Sequence, residues 1–165
     1  MVRVPAIVAA FILLSATPCV AQSKTALTAD EIEAALGDAG LPVRMIEEAR
    51  TGAPVANVQL GNVQYWIRAL DCAGAPKACS TLVFFANFEL GRASTAEDLE
   101  VVNRFNDGQV FGRAYVIPGK DQVGVDYVLE MDGGVSMENV SRNIARWADV
   151  ISAFISHFSE GRRSS

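Results

Sequence analysis

The sequence is short of the residues on which most enzyme chemistry depends. Its 165 residues include one histidine and three cysteines, and they contain no phosphate-binding loop, no HExxH motif and no GxSxG motif. The cysteines and the single distant histidine are too few for a zinc site. A serine-histidine-aspartate triad would have to use His157, which is more simply a half-exposed residue near the end of the last helix. We therefore expect no catalytic residue, no metal site and no cofactor, and we expect that the protein is not an enzyme.

Positive charge is also scarce. The chain has 14 lysines and arginines against 19 acidic residues, a net charge of −5, and no basic block. Nucleic acids and anionic membranes attract proteins through concentrated positive charge, so neither is an expected partner. Half of the residues are hydrophobic. For a chain of this length, that composition predicts a single domain with a sizeable core.

The N-terminus has the pattern of a signal peptide. Arg3 precedes an apolar run from Val4 to Ala16, and small residues before Gln22 predict cleavage between Ala21 and Gln22. The run is too short for a spanning helix, so an uncleaved anchor is the weaker alternative. We expect residues 1–21 to be removed, the protein to be periplasmic or secreted, and no membrane contact afterwards. Loss of Arg3 would change the net charge from −5 to −6.

Cleavage would leave two cysteines, Cys72 and Cys79, on either side of a turn that contains Gly74 and Pro76. In an oxidising compartment this pattern favours a structural disulfide. Closing the eight-residue loop is worth about 2.5 kcal/mol in the loop-entropy model. A redox-active pair is the sharper alternative, but this turn lacks the helix N-terminus that lowers the pKa of a catalytic thiol. Free thiols or a metal-bound pair also remain open.

Hydrophobic periodicity predicts the order helix, three strands, helix, two strands, helix. A further strand near residues 43–48 is only weakly marked. We predict an α+β fold with one antiparallel sheet packed by helices. It would span residues 28–158, after a polar lead at residues 22–27 and before a disordered tail at residues 159–165. Thr28–Glu31 and Ser94–Glu97 match the capping box that begins a helix, and Ser136 is placed to cap the last one.

The strand patterns also predict register. Pairing Cys72 with Cys79 places Trp66 opposite Phe85, and a four-residue loop at 118–121 places Arg113 opposite Asp126 as an ion pair. In the latter pairing Gly112 would leave room for the ring of Tyr127. Both faces of this sheet are apolar, whereas a one-sided sheet should be polar outside. We therefore predict a partner surface on the second face, made of Trp66, Arg68, Phe85, Phe111 and Tyr115.

A few polar residues are weaker candidates. Asn103 and Asn106 lie one helical turn apart, and they either tie the helix end to the next strand or contact a ligand. Gly133-Gly134 before the last helix fits a turn better than an anion site. Three acidic residues share one strand face, but no loop adds the further oxygens that calcium needs, so an ion-paired or solvated ladder is favoured; they are Asp126, Glu130 and Asp132.

Four short motifs carry a resemblance to a known family: Cys79-Ser-Thr-Leu-Val-Phe-Phe, Val102-Asn103-Arg-Phe-Asn106, Gly112-Arg-Ala-Tyr115, and the run LEMDGGVS from Leu129 to Ser136 before a helix that bears Trp147. In this order the chain resembles the YbjN domain family over residues 28–158. The resemblance implies a fold similar to type III secretion chaperones, which are small, acidic and often dimeric. It also implies a sensory or regulatory role with no catalytic residues to carry over. The signal peptide and cysteine pair resemble an exported, alphaproteobacterial-type member and argue against a cytosolic role.

Three functional hypotheses follow. The first is a non-catalytic exported module, chaperone-like or regulatory, that binds an unknown protein partner or a second copy of itself as a homodimer. The second is a small-molecule sensor with a pocket between the sheet and the last helix. The third is a thiol redox protein that uses Cys72 and Cys79. Fold alone does not choose among them.

Overall fold

The computed structural model describes residues 23–161, so the predicted signal peptide, the Ala21–Gln22 cleavage site and residues 162–165 lie outside it. The elements in chain order are β1 (Ser23–Lys24), β2 (Leu27–Thr28), α1 (Ala29–Asp38), β3 (Val43–Glu47), β4 (Pro54–Leu60), β5 (Val63–Ala73), β6 (Ala78–Glu89), α2 (Ala96–Gly108), β7 (Arg113–Ile117), β8 (Gln122–Glu130), β9 (Val135–Ser136) and α3 (Met137–Gly161). The predicted α+β domain with an antiparallel sheet is confirmed.

The main sheet is antiparallel throughout and has the order β3-β4-β5-β6-β8-β7, with β2 added on β6. Strand β1 pairs with β9 in a separate two-stranded ribbon. The predicted order was wrong in one respect, because four strands rather than three separate α1 from α2. The additional strand, β3, lies at an edge of the sheet. Its side chains are half-buried or exposed, which explains why its hydrophobic pattern is weak.

All three helices lie on one face of the sheet. Helix α3 crosses the centre, where the fully buried Trp147 packs against the rings of Tyr65 and Phe84 at centroid distances of 5.8 and 6.0 Å. Helix α1 contacts β3 and β4 at one end of the sheet, and α2 contacts β7 at the other. The aromatic ring of Phe154 on α3 meets Phe105 on α2 edge-on. The core therefore lies between α3 and the inner face of β4, β5, β6 and β8.

The predicted strand registers are confirmed. Cys72 pairs with Cys79 and Trp66 with Phe85 across β5 and β6, while Arg113 pairs with Asp126 across β7 and β8. Gly61 and Asn62 form the two-residue turn between β4 and β5. One detail was wrong, because Gly112 precedes β7 and adopts a positive φ of 83°. A Cβ there would lie 2.6 Å from Cγ1 of Val150, so the glycine makes room for α3 rather than for Tyr127.

The helix ends follow their capping chemistry. Thr28 caps α1 as predicted: its backbone N–H donates to Glu31, and the N–H of Glu31 donates to its hydroxyl. The cap of α2 was predicted one residue too early, since the backbone N–H of Thr95 donates to Asp98 over 2.8 Å. This shift places Asp98 inside and leaves Leu99 50% exposed.

Helix α3 begins as predicted, with the hydroxyl of Ser136 accepting from the backbone N–H of Asn139. It continues to Gly161, so the predicted disordered tail was wrong for residues 159–161. The residue at 161 must be small, because a Cβ there would lie 2.8 Å from Val101 on α2. Within residues 23–161, none of the helices has the length and apolar character needed to cross a membrane.

Candidate protein-binding surface

The outer face of the sheet carries an aromatic and aliphatic patch that no element within residues 23–161 covers. At its centre the rings of Trp66 on β5 and Phe85 on β6 stack at 5.8 Å with an interplanar angle of 21°. The guanidinium of Arg68 lies over the Phe85 ring at 5.4 Å. These three residues come together because paired residues of neighbouring strands lie side by side, and residues two apart on one strand share a face. We call Trp66, Arg68 and Phe85 the central cluster.

Aliphatic side chains surround Arg68 along its row of paired residues. Val55 on β4 and Val83 on β6 lie beside it, and Val128 on β8 follows with 51% of its surface exposed. Arg68 forms no ion pair with any residue of the described chain. The guanidinium of Arg68 is therefore a positive charge without an ion-pair partner, set among aliphatic and aromatic side chains, which is a combination typical of protein interfaces.

On the same face, two residues of opposite charge, Arg113 and Asp126, form an ion pair. The guanidinium of Arg113 on β7 donates to Asp126 on β8 over 2.5 Å, as predicted. This hydrogen bond raises the pKa of Arg113. The carboxylate of Asp126 therefore has a partner within the chain and is not available to Arg68.

Tyr115 extends the patch toward β7. Its hydroxyl donates to Asn87 on β6 over 3.0 Å, so the ring crosses the intervening strand β8. Gly124 lies at the crossing point, where a Cβ would come within 2.5 Å of the ring. Burial under neighbouring atoms raises the pKa of the Tyr115 hydroxyl, and the negative charge of Asp126 adds to this effect. The phenol is held neutral and fixed on the surface.

Phe111 does not belong to this surface, so that prediction was wrong. The positive φ of Gly112 redirects the chain before β7. The ring of Phe111 meets Tyr127 edge-on at 6.4 Å, and the guanidinium of Arg146 on α3 lies over it at 4.2 Å. Phe111 thus packs on the helix side of the sheet. The other four predicted surface residues, Trp66, Arg68, Phe85 and Tyr115, lie on the outer face.

The two asparagines on α2 do not form a joint site. The side chain of Asn106 donates to the carbonyl of Ala114 over 3.0 Å and accepts from its backbone N–H over 2.7 Å. It therefore ties the end of α2 to β7, which was the first of the two predicted roles. Asn103 is exposed on the same helix.

Sequence reasoning missed a polar cluster on the helix side of the sheet. The hydroxyl of Tyr127 donates to the buried Asn143, whose amide donates to Asn139 one turn earlier on α3. Arg146 donates to the side-chain oxygen of Asn143 over 3.2 Å. The three- and four-residue spacing of Asn139, Asn143 and Arg146 was the available signal. Because these groups satisfy one another, the cluster orients α3 on the sheet.

The remaining candidates have structural explanations. A disulfide joins Cys72 and Cys79, and Cys79 is fully buried in the core. The ring nitrogen Nε2 of His157 donates to the carbonyl of Val101 over 3.0 Å, which links α3 to α2. The glycines before β9 both have positive φ, and Gly134 donates its N–H to the carbonyl of Met131, as a turn requires.

The predicted acidic ladder does not form a cation site. Asp126 binds Arg113, whereas Glu130 accepts from the hydroxyl of Thr81 and Asp132 is exposed. Among residues 23–161 no group of three or more histidine, cysteine or acidic side chains is placed to hold a metal ion.

The space between the sheet and α3 is filled by aromatic side chains. Near the end of α3 a cavity of about 140 Å³ remains beside Phe88, Phe154 and Phe158. Ligand pockets usually have volumes of about 300 to 1,000 Å³. This cavity is thus too small for the predicted small-molecule pocket. A groove of about 490 Å³ adjoins it at the end of the sheet, where Val63, Phe88 and Ile155 of α3 are among the lining residues.

These features define a class: a single α+β domain with three helices on one face of an antiparallel sheet and an exposed apolar patch on the other. Comparison with known proteins is consistent with this description. The chain belongs to the YbjN family, described as "Putative bacterial sensory transduction regulator", whose model matches residues 28–160.

One solved structure with the same fold is that of YbjN from E. coli, described as "a putative transcription regulator". It superimposes with a TM-score of 0.58 and 19% sequence identity, over 76% of this chain and 87% of that one. At this identity the likeness shows the fold alone. No curated protein matches the chain.

Proposed function

We propose that the protein is a non-catalytic, exported regulatory module that acts by binding a folded protein partner through the outer face of its sheet. The observation that carries the proposal is the central cluster, in which Arg68 lies over the stacked rings of Phe85 and Trp66 on an uncovered face. Tryptophan and arginine are the residues that most often dominate the energy of protein interfaces. The family's description as a sensory transduction regulator supports a binding role.

The surroundings of Arg68 indicate the chemistry of the partner. The guanidinium has no carboxylate partner within residues 23–161, and Val55 and Val83 lie on either side of it. A matching surface would present one aspartate or glutamate surrounded by aliphatic or aromatic side chains. Such a carboxylate would form a charge-assisted, two-point hydrogen bond with arginine that lysine cannot reproduce.

Export is part of the proposal. The N-terminal pattern of residues 1–21 is that of a signal peptide, and the Cys72–Cys79 disulfide suits an oxidising compartment. The partner is accordingly sought in the periplasm or outside the cell.

The test combines crosslinking in the cell with reconstitution. A photo-crosslinking amino acid replaces Trp66 in one variant and Glu33, an exposed residue of α1, in a control variant. We expect one protein to be captured from position 66 and not from position 33. That protein is then purified, and its affinity is measured by calorimetry for the wild type and for Arg68→Lys and Arg68→Glu.

The charge reversal should weaken binding at least about tenfold and the lysine variant by less, because truncating or reversing one partner of a buried charge pair costs about 2 kcal/mol or more. Capture of the same proteins from both positions, or equal affinity of all three forms, would contradict the proposal. If a second copy of the chain is captured from position 66, the partner is the protein itself, as a homodimer.

A further inference from the structure

The two edges of the main sheet differ in how their backbone groups are satisfied. At the β7 edge, Asn106 makes both hydrogen bonds to Ala114 that a neighbouring strand would make. At the other edge, β3 pairs with β4 on one side and with no other strand of the described chain. An edge strand with free donors and acceptors is a template for a further strand.

Two hydrogen bonds define which groups of β3 face outward. The N–H of Gln59 donates to the carbonyl of Pro42 over 3.1 Å, and the N–H of Glu48 donates to the carbonyl of Ala53 over 2.9 Å. In an antiparallel pair, hydrogen-bonded residues alternate with residues whose N–H and C=O point the other way. Arg44 and Ile46 therefore bond to β4.

The alternate residues Val43, Met45 and Glu47 direct three N–H and three C=O groups away from the sheet. Residues 23–161 supply no backbone or side-chain partner for them. The spacing matches that of a strand of about five residues, which would pair with all six groups.

A groove of about 690 Å³ lies beside this edge, next to the start of α1. Met45, Pro54 and Pro76 give it an apolar lining, while Asp30 and Glu47 oppose the charge of Lys77. An added strand would direct every second side chain toward the helix side, where the groove lies. Because the lining has no strong charge of one sign, an apolar side chain fits it best.

Edge strands are commonly protected by charged residues and short length. Arg44 and Glu47 on the five-residue β3 are consistent with such protection. Protection alone leaves one observation unexplained, namely the groove aligned with the free backbone groups. The groove is accounted for if the edge is a binding surface.

We propose that the free edge of β3 binds an extended peptide segment of another protein as an added strand, with an apolar side chain in the groove. This site is separate from the outer-face patch, so it goes beyond the function proposed above. Variants of Arg68 should leave it unaffected, and variants of Met45 should leave the outer-face partner bound.

The probe is a random nine-residue peptide library displayed on phage, panned against the purified protein. We expect the selected peptides to carry apolar residues at alternate positions. Amide hydrogen exchange with a selected peptide should slow at least about tenfold at Val43, Met45 and Glu47 and remain unchanged at Arg44 and Ile46, because the latter N–H groups are already bonded to β4. Binding through side chains alone would not produce this alternation.

Two substitutions at one position separate backbone pairing from side-chain contact. Met45→Pro removes an outward N–H that has no partner within the chain, whereas Met45→Ala removes the side chain and keeps that N–H. We expect the proline variant to bind at least about tenfold more weakly than the alanine variant, with both folded by circular dichroism. If Met45→Pro fails to fold, the exchange pattern of the wild type decides alone.

Three results would overturn the proposal. One is a library that yields no binder, and another is protection that falls outside β3 or lacks the alternation. The third is protection that rises with protein concentration in the absence of peptide, together with dimers in sedimentation, which would assign the edge to a second copy of this chain.

Discussion

Asn106 closes the β7 edge by binding Ala114 at two points: its amide donates to the carbonyl of Ala114 over 3.0 Å and accepts from its N–H over 2.7 Å. A single side chain from α2 thus replaces a neighbouring strand at that residue. The opposite edge has no such side chain within residues 23–161, so the sheet has one protected edge and one open edge. The protected β7 edge contributes to stability, whereas the open β3 edge is the proposed binding site.

Replacing Asn106 with alanine should lower the free energy of unfolding by about 1 to 2 kcal/mol, because two hydrogen bonds are lost at a partly solvated edge. The measurement is urea unfolding followed by circular dichroism. Asn103→Ala on the exposed face of the same helix is the control and should stay within about 0.5 kcal/mol of the wild type. Equal effects of both substitutions would show that the bridge to β7 contributes nothing.

Gly124→Ala should destabilise the protein by about 1 to 3 kcal/mol, because the added methyl group overlaps the ring of Tyr115 and displaces it from Asn87. The sharper measurement is a double-mutant cycle. In a Tyr115→Ala background most of the cost of Gly124→Ala should disappear. A cost that is the same in both backgrounds would place its cause in the strand backbone instead.

Asp98 should control stability at acid pH. The two terminal nitrogens of the Arg92 guanidinium donate to it, at 2.6 and 2.9 Å, and the N–H of Thr95 adds a further hydrogen bond. The hydrogen bonds from Arg92, followed by those from Thr95, lower the pKa of this 1% exposed carboxyl to about 2.

In the unfolded chain the same group binds a proton near pH 4. Between pH 4 and pH 2 the unfolded state therefore binds more protons than the folded state, and stability falls as the pH falls. This contribution should be about 2 kcal/mol, fully present above pH 4 and lost near pH 2. Asp98→Asn should lower stability at pH 7 and flatten the acid limb of unfolding curves measured from pH 7 to pH 2. Glu97→Gln, at an exposed neighbouring position, should leave that limb unchanged.

Removing the disulfide by Cys72→Ala with Cys79→Ala should lower stability by about 2 to 3 kcal/mol, which calorimetry would record as a lower thermal midpoint. The wild type with a reductant should show a similar shift, and the double variant should not respond to the reductant. If the two cysteines instead have a redox role, the double variant should lose partner binding or activity while its thermal midpoint hardly changes.

Local sequence patterns predicted most of the framework because the determining interactions are close along the chain. The β5–β6 register follows from the cysteine pair and a short turn, and the β7–β8 register from a four-residue loop. The capping chemistry at Thr28 and Ser136 located two helix starts. Where two adjacent residues both suited a cap, as at Ser94 and Thr95, the sequence could not choose. In the folded protein Thr95 is the cap, because Asp98 packs against Arg92.

The residues of the predicted surface also divide into those that local patterns placed correctly and one that they did not. Alternation along the strands placed Trp66, Arg68, Phe85 and Tyr115 on one face, since side-chain direction in a strand is fixed by the pleat. Phe111 precedes its strand by two residues, so alternation does not apply to it, and the positive φ of Gly112 sent it to the other side. The polar cluster around Asn143 joins β8 to α3, and no local spacing connects those two elements.

The sequence by itself determined the number of long helices, the antiparallel pairing, the cysteine pair and the absence of recognisable catalytic motifs. These properties depend on periodicity, on turn chemistry and on which residue types are present. Only the tertiary structure decided that all three helices lie on one face, that Asn106 protects one edge of the sheet, and that β3 leaves the other edge open. Such features depend on contacts between residues far apart in the chain, where packing rather than local preference selects the arrangement.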